Sequence, residues 1–171
     1  MPGMNRDAIQ ELFDYTGWAW NAITKAIADA GADTLTRPAP GSGWPAFRDC
    51  LGHIVLAYQR WCSGLPQRKT LGMDRFDASA IATFEELEVY RAEAREEFKS
   101  FLDSLSDVEL ARIQEFDIDG DTIRYSYAEL MTHLLLHERG HHGDMSTLFY
   151  QLGMEMPMSE YRFHLGRFDY D

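Results

Sequence analysis

The sequence predicts an all-α protein, a four-helix bundle with a small β-hairpin before its last long helix. Four long segments repeat apolar residues at spacings of three and four, which is typical of helices with one buried face. Residues 116–125 instead form two short alternating runs around an Asp-Gly turn, which predicts the hairpin. Four amphipathic helices pack as a bundle, and the 171 residues are expected to form one domain, residues 1–171.

The first two predicted helices flank a loop. The first helix spans residues 5–30, and residues 32–44 are rich in Pro and Gly, as in loops. Pro45 suits the first turn of the second helix, which is predicted to run to about Leu65. Residues 66–82 show little pattern and are interpreted as a linker.

Two capping boxes mark the starts of the later helices. Thr83 and Glu86 open the third helix, and Ser126 and Glu129 open the fourth, directly after the predicted hairpin. The fourth helix is predicted to end near Gly153.

Charge and cysteine content exclude several classes of protein. The formal net charge of −12 disfavours nucleic acid and anionic membranes as partners, because phosphate binding relies on clustered Lys and Arg. The N-terminus lacks the apolar region of a secretory signal, and no apolar run reaches membrane-spanning length. Cys50 and Cys62 lie about 18 Å apart by helical rise and are not expected to bridge each other. We expect a cytoplasmic protein.

The fourth helix carries a row of histidines. His133, His137 and His141 recur every four residues, so they share one face of the helix. His133 and His141 are about 12 Å apart along the axis, so one adjacent pair is expected to bind a metal ion beside the third histidine. Which of the two pairs does so is left open by the spacing.

The apolar residues around this row favour a metal over simple burial. His137 and His141 fill the gap in a series of apolar and aromatic residues, so we predict that both occupy core positions. That series comprises Tyr127, Leu130, Leu134, Met145, Leu148 and Leu152. The alternative is a pair of buried histidines that hydrogen-bond to carbonyls or carboxylates without any metal.

Residues 137–141 also read as H-E-x-x-H, the zinc-protease motif in which Glu138 would act as general base. The extended form of the motif is missing, because Asp144 and Thr147 stand where a Gly and a third His belong. Glu160 lies at a tolerable distance for a carboxylate ligand. However, no strand-rich region precedes the helix to bind an extended peptide, so we rank a protease below other metal proteins.

Two further readings are weaker. Glu138 and His141 resemble half of a di-iron bundle motif, but the chain has no second Glu-x-x-His. Cys50 lies one turn before His53, yet spacing alone does not show the lowered pKa of a nucleophilic thiol.

Several segments together resemble the DinB/YfiT-like metalloenzyme family of four-helix bundles. Residues 13–18 and 47–54 are similar to the family's first and second helices. Residues 133–144 look like its H-x-x-x-H-x-x-x-H-x-G-Q pattern, and residues 156–161 resemble its ending. The resemblance covers nearly all of the chain.

The resemblance implies one divalent metal ion, nickel or zinc, bound by three histidines. Carried over to this chain, the ligands are His53, His137 and His141, and they leave open positions on the ion. His133, Glu138 and Asp144 are then expected beside the ligands rather than on the ion. His142 and Asp144 depart from the family, which usually has Arg and Gln there.

The function that the resemblance implies is that of a metal-dependent enzyme acting on a small molecule. Relatives include transferases and isomerases that use small thiol cofactors, and others resemble hydrolases, so a thiol cosubstrate is expected without a choice between these reactions. The alternative is a non-catalytic metal-binding stress-response protein. The family and the aromatic content also predict a homodimer.

Overall fold

The computed structural model describes residues 4–62, 65, 70–71, 78–118 and 120–166. Four long helices form the predicted bundle, which is confirmed. In the described residues the helices are α1 (Arg6–Asp29), α2 (Phe47–Cys62), α3 (Phe84–Ser104), α4 (Asp107–Ala111), α5 (Tyr127–Gln151) and α6 (Tyr161–His164). No helix among them has both the length and the apolar character that a membrane span requires.

The small sheet lies before α5, as predicted. Strands β2 (Ile113–Ile118) and β3 (Asp121–Ser126) pair antiparallel around Gly120, whose φ of 90° suits the turn. A two-residue strand β1 (Thr70–Leu71) runs parallel to β2. It falls in the segment interpreted as a linker, because two residues are too few to show an alternating pattern.

Side-chain caps fix where the helices begin. The boxes of Thr83 with Glu86 and of Ser126 with Glu129 both form, as predicted. A third box, of Ser106 with Glu109, opens the short helix α4 and was not predicted.

The core corrects one prediction about α5. Glu138 and His142 are fully buried, whereas His137 and His141 are half-buried on the adjacent side. The apolar series from Leu134 to Met145 can pass through either pair with spacings of three and four, so periodicity does not separate them. Glu138 can be buried because Arg91 of another helix, α3, pairs with it. A sequence pattern within α5 alone does not reveal that partner.

Candidate metal centre

Three imidazole nitrogens converge between α2 and α5. Nε2 of His137 lies 3.2 Å from Nε2 of His53 and 3.1 Å from Nε2 of His141. Each of the three residues offers a nitrogen within 4.8 Å of the other two. The two histidines of α5 are one turn apart, and His53 of α2 faces them across the helix interface.

This spacing fits a metal ion. Nitrogens that bind a tetrahedral zinc at about 2.0–2.1 Å are about 3.3 Å apart. The two Nε2 distances to His137 are 3.1 and 3.2 Å, close to that value. In donor type and in these two distances, His53, His137 and His141 are therefore compatible with binding a metal ion.

Burial favours the uncharged form of His137 and of His53. It is the largest cause that lowers the pKa of His137, to about 4, and the neighbouring His141 and His53 act in the same direction. Burial also lowers the pKa of His53. A neutral imidazole has a free lone pair, so His137 and His53 can each offer a nitrogen to a cation at neutral pH.

The thiol of Cys50 on α2 contacts the backbone of α5 beside the histidines. Cys50 is buried, and its thiol donates to the backbone oxygen of His141 across 3.7 Å. Burial raises the pKa of the Cys50 thiol above its ordinary value. The thiol therefore stays protonated, which argues against a nucleophilic role for Cys50.

Asp144 and Trp44 surround His141. Oδ2 of Asp144 lies 2.9 Å from Nδ1 of His141 and accepts a 3.3 Å hydrogen bond from Nε1 of Trp44. The indole lies 5.3 Å from the ring of His53 and 5.4 Å from that of His141, between centroids. Asp144 thus lies beside His141, and Trp44, which the sequence placed only in a loop, contacts both His53 and His141.

His133 lies outside the convergent group. It is exposed, with its ring 5.2 Å from Trp61 and 6.1 Å from His137 between centroids. Of the two histidine pairs that the sequence left open, the structure brings His137 and His141 to His53 and leaves His133 as a neighbour.

Glu138 belongs to a buried polar cluster on another side of α5. Its carboxylate accepts a 2.5 Å hydrogen bond from Tyr58 and pairs with Arg91, while Nε2 of His142 lies 3.4 Å away. Burial alone would raise the pKa of Glu138, but Arg91 above all, with His142 and Arg95, lowers it below the ordinary value.

The burial of Glu138 in this cluster argues against a zinc protease. A general base must be able to reach a water molecule in the site. Glu138 is 0% exposed and its carboxylate is engaged by Tyr58 and Arg91. Glu138 was also expected beside the three histidines, but the partners of its carboxylate are the core residues Tyr58 and Arg91. Glu160 is paired with Arg162. The group of possible metal ligands found among the described residues is His53, His137 and His141, and it contains no carboxylate.

The sequence did hold a sign of this cluster. Arg91 occupies a position on the apolar face of the third helix, where a charge needs a partner. The residue with the matching charge, Glu138, lies 47 positions later. No sequence pattern links two such residues, and Trp44 gives no signal beyond its aromatic character.

Taken together, the fold and the site define a helical-bundle protein whose half-buried histidines, shared by two helices, are compatible with metal binding. The sequence model of the DinB family matches residues 4–166, and the chain belongs to the DinB family. A comparison with curated proteins gave no match.

Proposed function

We propose that the chain binds one divalent metal ion through His53, His137 and His141 and acts as a metal-dependent enzyme on a small molecule. The observation that carries the proposal is the convergence of three Nε2 atoms from two helices. Three protein ligands, rather than four, are typical of catalytic sites. Imidazole suits both nickel and zinc, the two ions we expect.

The residues of the chain bind and orient, and the ion supplies the chemistry. When bound, a divalent ion acidifies water or holds a small thiolate at its open positions. His53, His137 and His141 hold their Nε2 atoms together, and Asp144 lies against Nδ1 of His141. Such a site supports a thiol-linked transferase or isomerase, or a hydrolase.

The second candidate is a metal-binding stress-response protein without turnover. The same histidine cluster would store or sense the ion. Metal-loaded protein should therefore be screened with small thiols and electrophiles, and with hydrolysable esters and amides. His137→Ala serves as the matched control. Turnover in the loaded wild type that is lost in the variant supports the enzyme. No turnover of any of these substrates favours the binding protein.

The ligand assignment is tested by metal content. His137→Ala and His141→Ala each remove half of the helical chelate and should lose the ion, as measured by elemental mass spectrometry of zinc-loaded protein. His53→Ala should weaken zinc binding strongly, because two imidazoles leave the ion largely hydrated. His133→Ala should weaken it less. Full occupancy in His141→Ala together with loss in His133→Ala would show that the other pair is the chelate.

A further inference from the structure

We propose that Asp144 and Trp44 are positioning residues of the three-histidine site. Asp144 fixes the tautomer and the orientation of His141, and Trp44 holds Asp144 and covers the histidine cluster from the loop before α2. The inference rests on the proposed function, since it concerns how the same site binds its ion.

The bond between Asp144 and His141 decides which imidazole nitrogen is free. Oδ2 of Asp144 lies 2.9 Å from Nδ1 of His141. A carboxylate oxygen accepts hydrogen bonds, so in the neutral tautomer that bonds to it Nδ1 carries the proton and Nε2 keeps its lone pair. That Nε2 is the atom which lies 3.1 Å from Nε2 of His137. Asp144 therefore sets the tautomer that a ligand at this position needs.

His141 differs in this respect from its neighbour on the same helix. The buried Nδ1 of His137 has no hydrogen-bond partner among the described residues. Nothing comparable to Asp144 fixes the tautomer of His137 there. The carboxylate thus makes His141 the ligand that is oriented before any ion arrives.

Trp44 joins this carboxylate to both helices of the site. Its Nε1 donates to the same oxygen of Asp144 that faces His141. Its ring contacts His53 of α2 in a tilted arrangement and His141 of α5 edge-on, with centroids 5.3 and 5.4 Å apart. The indole therefore covers one side of the cluster and limits the ways in which Asp144 can turn.

The loop that carries Trp44 is itself fastened. The buried hydroxyl of Ser42 lies 2.8 Å from the backbone oxygen of Ala39 and 2.7 Å from that of Trp44. Thr147 of α5 donates to the backbone oxygen of Ser42 across 2.8 Å. The bond from Thr147 connects the loop to α5 one turn beyond Asp144. Together these bonds fix where the loop places the indole of Trp44.

Asp144→Asn tests the carboxylate with two measurements. Side-chain ¹H–¹⁵N NMR of the metal-free protein should show His141 as the Nδ1–H tautomer in the wild type, and the variant should lose this fixed tautomer. Titration of zinc chloride against a competing chelator should show binding about 10- to 100-fold weaker in the variant. Asp144 is about half exposed, so the substitution is compatible with the fold.

Matched variants test whether the effect depends on where the carboxylate lies or only on the loss of a negative charge. Glu97→Gln removes the same charge from an exposed site on α3 and should leave both readouts unchanged. Trp44→Phe keeps the aromatic cover and loses Nε1–H, so it should weaken zinc binding by a smaller factor than Asp144→Asn. Trp44→Leu should weaken it more than Trp44→Phe, because it also loses the aromatic ring that contacts both imidazoles.

The outcomes distinguish this inference from the proposed function. An Asp144→Asn variant that keeps either the His141 tautomer or the wild-type zinc affinity overturns the inference alone. A wild type that binds neither zinc nor nickel overturns the proposed function. In that case the NMR measurement on metal-free protein still decides whether Asp144 sets the tautomer of His141.

Discussion

Glu138 is fully buried, and its negative charge is compensated mainly by Arg91 of α3. Arg91 in turn lies over the ring of Trp20, with its Cζ 4.3 Å from the ring centroid. In such an arrangement each charge depends on the other, because neither has water to replace a lost partner. The residue between two candidate metal ligands is therefore part of the core.

We expect Glu138→Gln to destabilise the metal-free protein by about 3–5 kcal/mol, because it leaves the buried charge of Arg91 unpaired. Chemical denaturation with a chelator present measures this loss. Exposed Glu97→Gln, the matched control, should stay within about 0.5 kcal/mol of the wild type. The double variant with Arg91→Met should lose less than the sum of the single losses. Metal-dependent proteolysis that vanishes in Glu138→Gln would instead restore the protease reading.

The histidine cluster should make the stability of the metal-free protein depend on pH. Burial lowers the pKa of His137 to about 4 in the folded chain, against 6.5 as its ordinary value, and lowers that of His53. Between these pH values the unfolded chain takes up protons that the folded chain does not. The free energy of unfolding is therefore expected to fall as the pH falls from 7 to 5.

Denaturation curves at pH 7, 6 and 5 with a chelator present measure this dependence. His137→Gln removes the group whose pKa is lowered most clearly, so its stability should change less over the same range. A stability of the wild type that is constant between pH 7 and pH 5 would contradict the expectation.

At the scale of secondary-structure elements, the sequence was sufficient to predict features that depend on residues close together in the chain. The capping boxes and the Asp-Gly turn place the starts of α3 and α5 and the hairpin, because each rests on bonds between near neighbours. The inward side of α5 was not predictable in this way. It is decided by Tyr58 and Arg91, which contact Glu138 from α2 and α3.

Two helical glycines give an element-scale prediction. A Cβ at Gly140 of α5 would meet nothing within 4 Å, so Gly140→Ala should stabilise the metal-free protein by about 0.5–1 kcal/mol. A Cβ at Gly17 of α1 would lie 2.8 Å from Nη2 of Arg95. That guanidinium donates to the backbone oxygen of Phe13 and stacks on its ring.

Gly17→Ala should therefore lower the free energy of unfolding, because Arg95 must give up part of these contacts. Urea denaturation of the two variants beside the wild type measures both effects. Equal gains in stability for the two alanine variants would show that Arg95 moves without cost.

On the scale of the whole molecule, the buried cluster joins all four long helices. Tyr58, Arg91 and Glu138 come from α2, α3 and α5, and Trp20 of α1 lies against Arg91. The histidine site lies to one side of this cluster, between α2 and α5. The bundle could be predicted from periodicity, but this division into a structural cluster and a candidate metal site depends on contacts between helices.

We also propose that the chain forms a homodimer through surfaces that the core does not use. Leu136 and Tyr150 are exposed apolar residues of α5, and they lie fourteen positions apart on nearly the same side of the helix. Sedimentation at micromolar concentration should show twice the 19.7 kDa chain mass. Replacing both residues by Lys should shift the protein towards monomer, whereas Val108→Lys on α4 should not. A wild type that sediments only at 19.7 kDa contradicts the dimer.

The division of the candidate ligands between two distant helices has a consequence for the order of folding and metal uptake. His137 and His141 become neighbours as soon as α5 forms, whereas His53 lies 84 residues before His137 and arrives only when α2 packs. If the proposed site binds an ion, an ion added to the unfolded chain would meet the pair on α5 first and would gain His53 as its third ligand late. His133 and His137 form a competing pair on the same helix. An ion that binds before folding can therefore be held by this pair instead of by His137 and His141. Adding the ion only after the chain has folded avoids this competing pair. Refolding with the ion present and refolding before the ion is added should therefore differ in rate.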